Sequence, residues 1–212
     1  YGKMLTLDNM VMTTEQDEFH YHEMISHPVM FVHPNPKKIL VIGGGDGGTV
    51  RDLLKHESVE HIDIVEIDEA VIEACKLHLP NIAAAFDDSR LHVKVEDGIA
   101  FVKNAADESY DLIIVDGSDP IGPAEGLFSV SFYDNCRRLL NETGILVAQG
   151  ESPKFNEHAF KDLNHTLQEL FTPDNVHVML FYVPTYPTGM WSFQWAGKQQ
   201  IQPTEINDKQ VR

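Results

Sequence analysis

The feature that most constrains this chain is a run of four aliphatic residues, Ile39-Leu40-Val41-Ile42, opening directly into Gly43-Gly44-Gly45-Asp46-Gly47-Gly48. The spacing G-x-G-x-x-G falls between an apolar strand and a helical stretch, where the backbone turns tightly and approaches a ligand at the helix start. A glycine turn with no ligand would use the same residues. No Lys-Ser or Lys-Thr pair follows the loop, so it is not a P-loop.

From residue 38 onward short apolar strands alternate with helical stretches, the pattern of right-handed βαβ crossovers and a parallel sheet. Strands are expected at 38–42, 61–67, 90–95, 110–116, 144–149, 176–183 and 191–196, with helices at 49–56, 69–78, 98–105, 130–140 and 155–171. The six residues at 184–189 leave no room for a helix, so the seventh strand should run antiparallel. The fold class is therefore α/β, a Rossmann-like, seven-stranded, mostly parallel sheet. Residues 1–14 read as a hairpin about Asp8-Asn9, which must pack on something because an isolated hairpin is marginal. Residues 17–32 carry apolar positions at helical spacing, with Pro28 expected to break them into two pieces. The organisation predicted is a hairpin at 1–14, one α/β unit at 15–198 and a polar, frayed tail at 199–212.

Charge narrows the partners. Thirty-three acidic against 16 basic residues leave a net charge of −17, which repels nucleic acid and anionic lipid and attracts cations. No apolar run reaches the length needed to cross a bilayer. Cys75 and Cys136 both lie in apolar-periodic segments, as reduced core thiols of a cytoplasmic protein would. The opening Tyr1-Gly2-Lys3-Met4 has neither a signal-peptide pattern nor an initiator methionine, so the chain is expected to be a fragment.

The strand ends carry the chemistry. Glu66 closes the second strand, placed to accept hydrogen bonds from both hydroxyls of a ribose, while Asp68 is suited to cap the next helix. Asp46 lies inside the glycine loop, where it would repel a dinucleotide pyrophosphate. Glu96-Asp97-Gly98 after the third strand offers a carboxylate and a backbone N–H to an adenine edge. Together these favour a cationic sulfonium nucleoside of the S-adenosylmethionine kind. The fourth strand ends in Asp116, followed by Asp119, Pro120 and Pro123 in a long loop at the edge where such sheets bind ligands. Each aspartate could instead serve only its loop. No ligand spacing specifies a metal ion. Among His20, His22, His27 and His33, the His22-Glu23 pair followed by His27 is one residue too long for H-E-x-x-H, and five residues of helix put the two rings about 140° apart.

Five blocks in one order then identify a resemblance: Tyr1 to Asp8, Asp17-Glu-Phe-His-Tyr-His-Glu-Met24, Gly43 to Arg51, Asp116 to Pro123, and Pro184 to Gly189. Over essentially its whole length the chain resembles the spermidine synthase (polyamine aminopropyltransferase) family. The resemblance implies a class I S-adenosylmethionine-dependent transferase fold. It further implies transfer of the aminopropyl group of decarboxylated S-adenosylmethionine, a co-substrate, to putrescine, with no permanently bound cofactor or metal. Carried over by position, Glu66, Asp97, Gly98 and Pro123 would hold the nucleoside beside Gly43, Gly45 and Asp46. His22 and Asp46 would hold an amine end, Asp119 the distal ammonium, and Asp116 would accept the proton. Tyr21 and Tyr186 would position the attacking nitrogen, and Gln149 would border the polyamine channel.

Gly117 departs from the family's more frequent serine. Family members also carry an N-terminal β domain, of which residues 1–14 would be the remnant, and usually form homodimers or homotetramers. A methyltransferase and a non-catalytic polyamine-binding homologue are the other readings. Putrescine, cadaverine and spermidine remain open as acceptors.

Overall fold

The structure, a computed structural model, describes residues 1–118 and 126–203. Two antiparallel strands, β1 (Met4–Leu7) and β2 (Met10–Thr14), form the expected hairpin. Asp8 and Asn9 both take positive φ, 50° and 67°, the conformation of a tight two-residue hairpin turn. Leu5 and Leu7 pack against Val71, Cys75 and Leu79, and Lys3 donates to the carbonyl of His78 at 2.8 Å. The hairpin thus finds the support it requires.

Next come α1 (Phe19–Val32), β3 (Lys38–Gly43), α2 (Gly48–Leu53), β4 (His61–Glu66), α3 (Glu69–His78) and β5 (Leu91–Val95). They are followed by α4 (Gly98–Asn104), β6 (Tyr110–Asp116), α5 (Val130–Leu139), β7 (Leu140–Gln149), α6 (Glu157–Phe171), β8 (Val176–Tyr182) and β9 (Met190–Gly197). The seven-stranded sheet has the order β5-β4-β3-β6-β7-β9-β8, and β9 is antiparallel to both neighbours. The expected antiparallel last strand is present, inserted between β7 and β8.

Helices cover both faces, which is why the central strands carry apolar runs such as 39–42 and 112–115. Ile39, Val41, Ile62, Ile64, Leu112 and Ile114 face α1 and α2, where Tyr21, Ile25, Val29, Val50 and Leu53 complete one core. The alternate residues, Leu40, Ile42, Val65, Ile113 and Val115, face α4, α5 and α6. Cys75 and Cys136 are buried free thiols.

Two expectations need correction. Pro28 does not divide 17–32: α1 runs unbroken through it. Tyr21, His22, Ile25, Ser26, Val29 and Met30 are all buried along this helix, and Ser26 donates to the carbonyl of Thr49 at 3.2 Å. This packing outweighs the one backbone bond that proline forgoes. The strand expected at 144–149 begins earlier, at Leu140, directly after α5. Its pairing with β6 shifts from Tyr110↔Leu140 to Leu112↔Ile145, an irregularity that absorbs the polar residues 141–143. Among the described residues no helix is long and apolar enough to cross a membrane.

The sheet changes winding direction at β3 and β6, which are adjacent although β4 and β5 intervene in sequence. A crevice opens outside the carboxyl ends of strands at such a point. Gly43, Glu66 and Asp116 are the last residues of β3, β4 and β6, so three expected site residues meet there.

Candidate active site

The glycine loop is shaped by its two neighbours. Gly43 and Gly44 adopt φ of 81° and 72°, and the Gly44 N–H donates to the carbonyl of Asp116 at 3.0 Å. On the other side, the Gly45 N–H donates to Glu66 Oε2 at 3.1 Å, and a Cβ at Gly45 would lie 2.8 Å from that oxygen. Larger residues would push the loop away from both carboxylates. Asp46 turns back so that Oδ1 accepts the Gly48 N–H at 2.9 Å.

Glu66 also accepts the Asp68 N–H through Oε1 at 2.9 Å. Burial raises its pKa, against the pull of the N–H groups of Asp68, Gly45 and Ile67. Asp68 caps α3 through the Ala70 N–H, as expected. On the adjoining strand end the Glu96 N–H donates to the Glu66 carbonyl at 3.1 Å, setting Asp97 and Gly98 alongside. Asp97 caps α4 through one oxygen, 2.8 Å from the Ile99 nitrogen. A Cβ at Gly98 would come 2.6 Å from Ile42 Cγ2, so this glycine lets α4 start tight against the sheet.

Asp116 is anchored at both oxygens. Tyr21 Oη donates to Oδ1 at 2.6 Å, and Thr49 Oγ1 donates to Oδ2 at 2.6 Å. Burial, and then the charge of Asp46, raise its pKa; His22, Thr49 and Tyr21 work the other way. The Tyr21 phenol is pushed well up by burial and by Asp116. His22 Nε2 stands 3.2 Å from Asp46 Oδ2, and His22 Nδ1 bonds Glu18. Burial alone would favour the neutral ring, but Asp46 and Glu18 outweigh it and hold the pKa up to about 10.

Aromatic rings wall this corner. Tyr21 packs edge-on against Phe193, centroids 5.0 Å apart, and its ring lies 6.1 Å from that of Tyr186. The Tyr186 hydroxyl donates to the carbonyl of Met12 at 2.7 Å, so its ring flanks Tyr21 while its oxygen ties down the hairpin. Gln149 lines a small cavity with Gly117, Ser118 and Leu127, and its amide is engaged by Glu151: Nε2 to Oε1 at 3.1 Å, and the Glu151 N–H to Gln149 Oε1 at 2.9 Å. Asp119 and Pro123 lie outside the described residues.

Gly43, Gly45, Asp46, Glu66, Asp116, Tyr21 and His22 therefore converge, with Asp97 and Gly98 at the next strand end. Sequence reasoning missed Thr49, Glu18 and Arg51. Glu18 stands four residues before His22, the spacing of facing side chains on a helix, which was the available signal. Among the described residues no three or more His, Cys, Asp or Glu side chains are grouped to hold a metal ion.

Residues 18–207 match the family model described as spermine/spermidine synthase domain. The polyamine aminopropyltransferase of Clostridium botulinum (strain Alaska E43 / Type E3) is 48% identical over 209 residues, covering 98% of this chain and 72% of that protein. The protein of the same name from Methanocaldococcus jannaschii is 46% identical over 215 residues, 100% of this chain and 71% of its own length. A spermidine synthase solved in complex with the transition-state analogue AdoDATO superposes with a TM-score of 0.92 at 42% identity, covering 98% of this chain and 70% of the other. The spermidine synthase of Thermotoga maritima follows at 0.88 and 40%, with 98% and 69% covered. With a family model matched over residues 18–207 and relatives close to half identical over nearly the whole chain, the chain belongs to the spermine/spermidine synthase family.

Proposed function

We propose that the chain transfers the aminopropyl group of decarboxylated S-adenosylmethionine to putrescine, releasing spermidine and methylthioadenosine. The observation that carries this reading is the Asp116 carboxylate, gripped by Tyr21 and Thr49 and facing Asp46 and His22 beside the glycine loop. The solved relative that holds AdoDATO supports it.

Displacement of a thioether from a sulfonium carbon has a good leaving group, so the protein mainly aligns the amine and removes its proton. Glu66 holds the ribose and Asp97 with Gly98 the adenine, with Pro123 beside them. Asp116 accepts a hydrogen bond from the attacking amine and then its proton; its raised pKa makes it a better acceptor than an exposed aspartate. The nearby sulfonium charge favours the neutral, nucleophilic amine. Tyr21 fixes the carboxylate, and the Tyr186 ring sets the wall against which the amine chain lies. Asp119 pairs with the distal ammonium, and Gln149 borders the channel through its partner Glu151. Asp46 disfavours the carboxylate of intact S-adenosylmethionine.

The same reading takes residues 1–14 as the end of an N-terminal β-stranded domain, 15–198 as the catalytic domain and 199–212 as a tail, in a cytoplasmic homodimer or homotetramer. Incubation with decarboxylated S-adenosylmethionine and putrescine should yield methylthioadenosine and spermidine in equal amounts. S-adenosylhomocysteine from S-adenosylmethionine would instead establish a methyltransferase, and polyamine binding without turnover a non-catalytic homologue.

A further inference from the structure

Two charged side chains outside the expected set, Arg51 and Glu18, form a line that runs through His22 to Asp46. Arg51, on α2, clamps both oxygens of Glu18, Nη1 to Oε1 at 2.8 Å and Nη2 to Oε2 at 3.0 Å. Glu18 in turn bonds His22 Nδ1, and His22 Nε2 reaches Asp46 Oδ2 at 3.2 Å. Glu18 and His22 are buried, and Arg51 is braced from behind by Asp52 at 2.9 Å. An ionised carboxylate can only accept, so a ring bonded to one at each nitrogen carries both protons. His22 is then an imidazolium enclosed by Glu18 before α1, Asp46 on the glycine loop and Asp116 at the end of β6. Both its nitrogens are taken, so the ring does not itself hold an amine end, contrary to the expectation from sequence. Burial opposes ionisation of Glu18, but His22 and Arg51 prevail and lower its pKa.

We propose that Glu18 is a positioning residue: clamped by Arg51, it fixes the rotation and the charge of the His22 ring, and through that ring the carboxylate of Asp46. The inference rests on the aminopropyl-transfer reading of the crevice and adds a part to it. Held in this way, His22 places a positive charge among the carboxylates and disfavours a second cation close by, so an amine near Asp116 is biased towards its neutral form. If Glu18 is lost, the ring is free to turn or to shed a proton, and Asp46 faces the substrates uncompensated.

The test uses the full chain with Glu18→Gln and Glu18→Asp. NMR of isotope-labelled histidine follows the protonation midpoint of His22, and kcat/KM for both substrates is measured against pH. For Glu18→Gln we expect the midpoint to fall by about 1 to 3 units. The alkaline limb of kcat/KM should fall with it, giving a loss that grows with pH to roughly tenfold or more. Glu18→Asp, which keeps the charge, should recover part of both and covers the case in which the glutamine variant does not fold. An unmoved midpoint, or a loss equal at every pH, would overturn the positioning role. Failure of the unmodified chain to form methylthioadenosine would overturn the reading of the site instead, while the NMR midpoint still decides whether Glu18 fixes the ring.

Discussion

Tyr21 donates its hydroxyl to Oδ1 of Asp116 at 2.6 Å, joining positions 95 residues apart in sequence. With Thr49 on the other oxygen, the carboxylate is locked in rotation and can present only its remaining lone pairs to a substrate. Replacing Asp116 by Asn removes the proposed proton acceptor and preserves the shape. We expect kcat to fall by on the order of 100-fold or more while nucleoside affinity changes by no more than a few-fold. Steady-state kinetics with calorimetric titration of the nucleoside checks this, and undiminished turnover would remove Asp116 from the chemistry.

Glu66 presents a different balance. Its two oxygens already accept N–H groups from Gly45 and Asp68, which aim the carboxylate at the crevice. Glu66→Gln should raise KM for the nucleoside by roughly 10- to 100-fold with kcat and the amine KM little changed, the pattern of lost uniform binding. A fall in kcat with KM intact would contradict a ribose-binding role.

A Cβ at Gly48 would run into the His22 ring, meeting Cε1, Nδ1 and Cγ at once. Because Gly48 begins α2 without a positive φ, Gly48→Ala strains the contact rather than the backbone. Its kcat/KM should drop at least roughly tenfold through misplacement of His22 and Asp46. Activity equal to the parent's would show that the ring yields freely.

Asp46→Asn keeps the bond to the Gly48 N–H and removes the charge proposed to oppose a substrate carboxylate. The preference for decarboxylated over intact S-adenosylmethionine should narrow by about tenfold or more, read as the ratio of binding constants. An unchanged ratio would assign the discrimination elsewhere.

Stability should depend on pH through His22. Its folded pKa is held up to about 10, above the ordinary 6.5, so the folded chain binds the proton more tightly than the unfolded one. The contribution is complete below about 6.5 and is lost as pH rises towards about 10. Above about 9 the buried Cys75 thiol, pushed up to about 12, adds to the same decline. The melting temperature should fall steadily from pH 6.5 to 9, and His22→Gln should flatten that slope.

The legible parts of this protein are those in which one residue type has one use. Two-faced burial fills the central strands with apolar residues, so carboxylates at their carboxyl ends, Glu66 and Asp116, read as crevice residues, even with Asp63 inside the strand that Glu66 closes. Asp8-Asn9 reads as a turn because both residues tolerate positive φ. Pro28 misleads because its local preference for breaking a helix meets a tightly packed surface that no local pattern reveals. Glu18 and Arg51 are 33 residues apart, and their pairing depends on how α1 crosses α2. Gln149 looks available from sequence, yet Glu151 takes its amide.

Tyr186 bonds the carbonyl of Met12, and Asp17 accepts from the Thr185 hydroxyl at 2.7 Å, contacts spanning 174 and 168 residues. Such long-range closures carry a high ordering cost and are favourable only once the intervening sheet has formed. The aromatic wall beside Asp116 is thus a seam that closes only across the finished sheet: a single cut between Tyr182 and Met190 would loosen the tie that Thr185 and Tyr186 make to Asp17 and Met12.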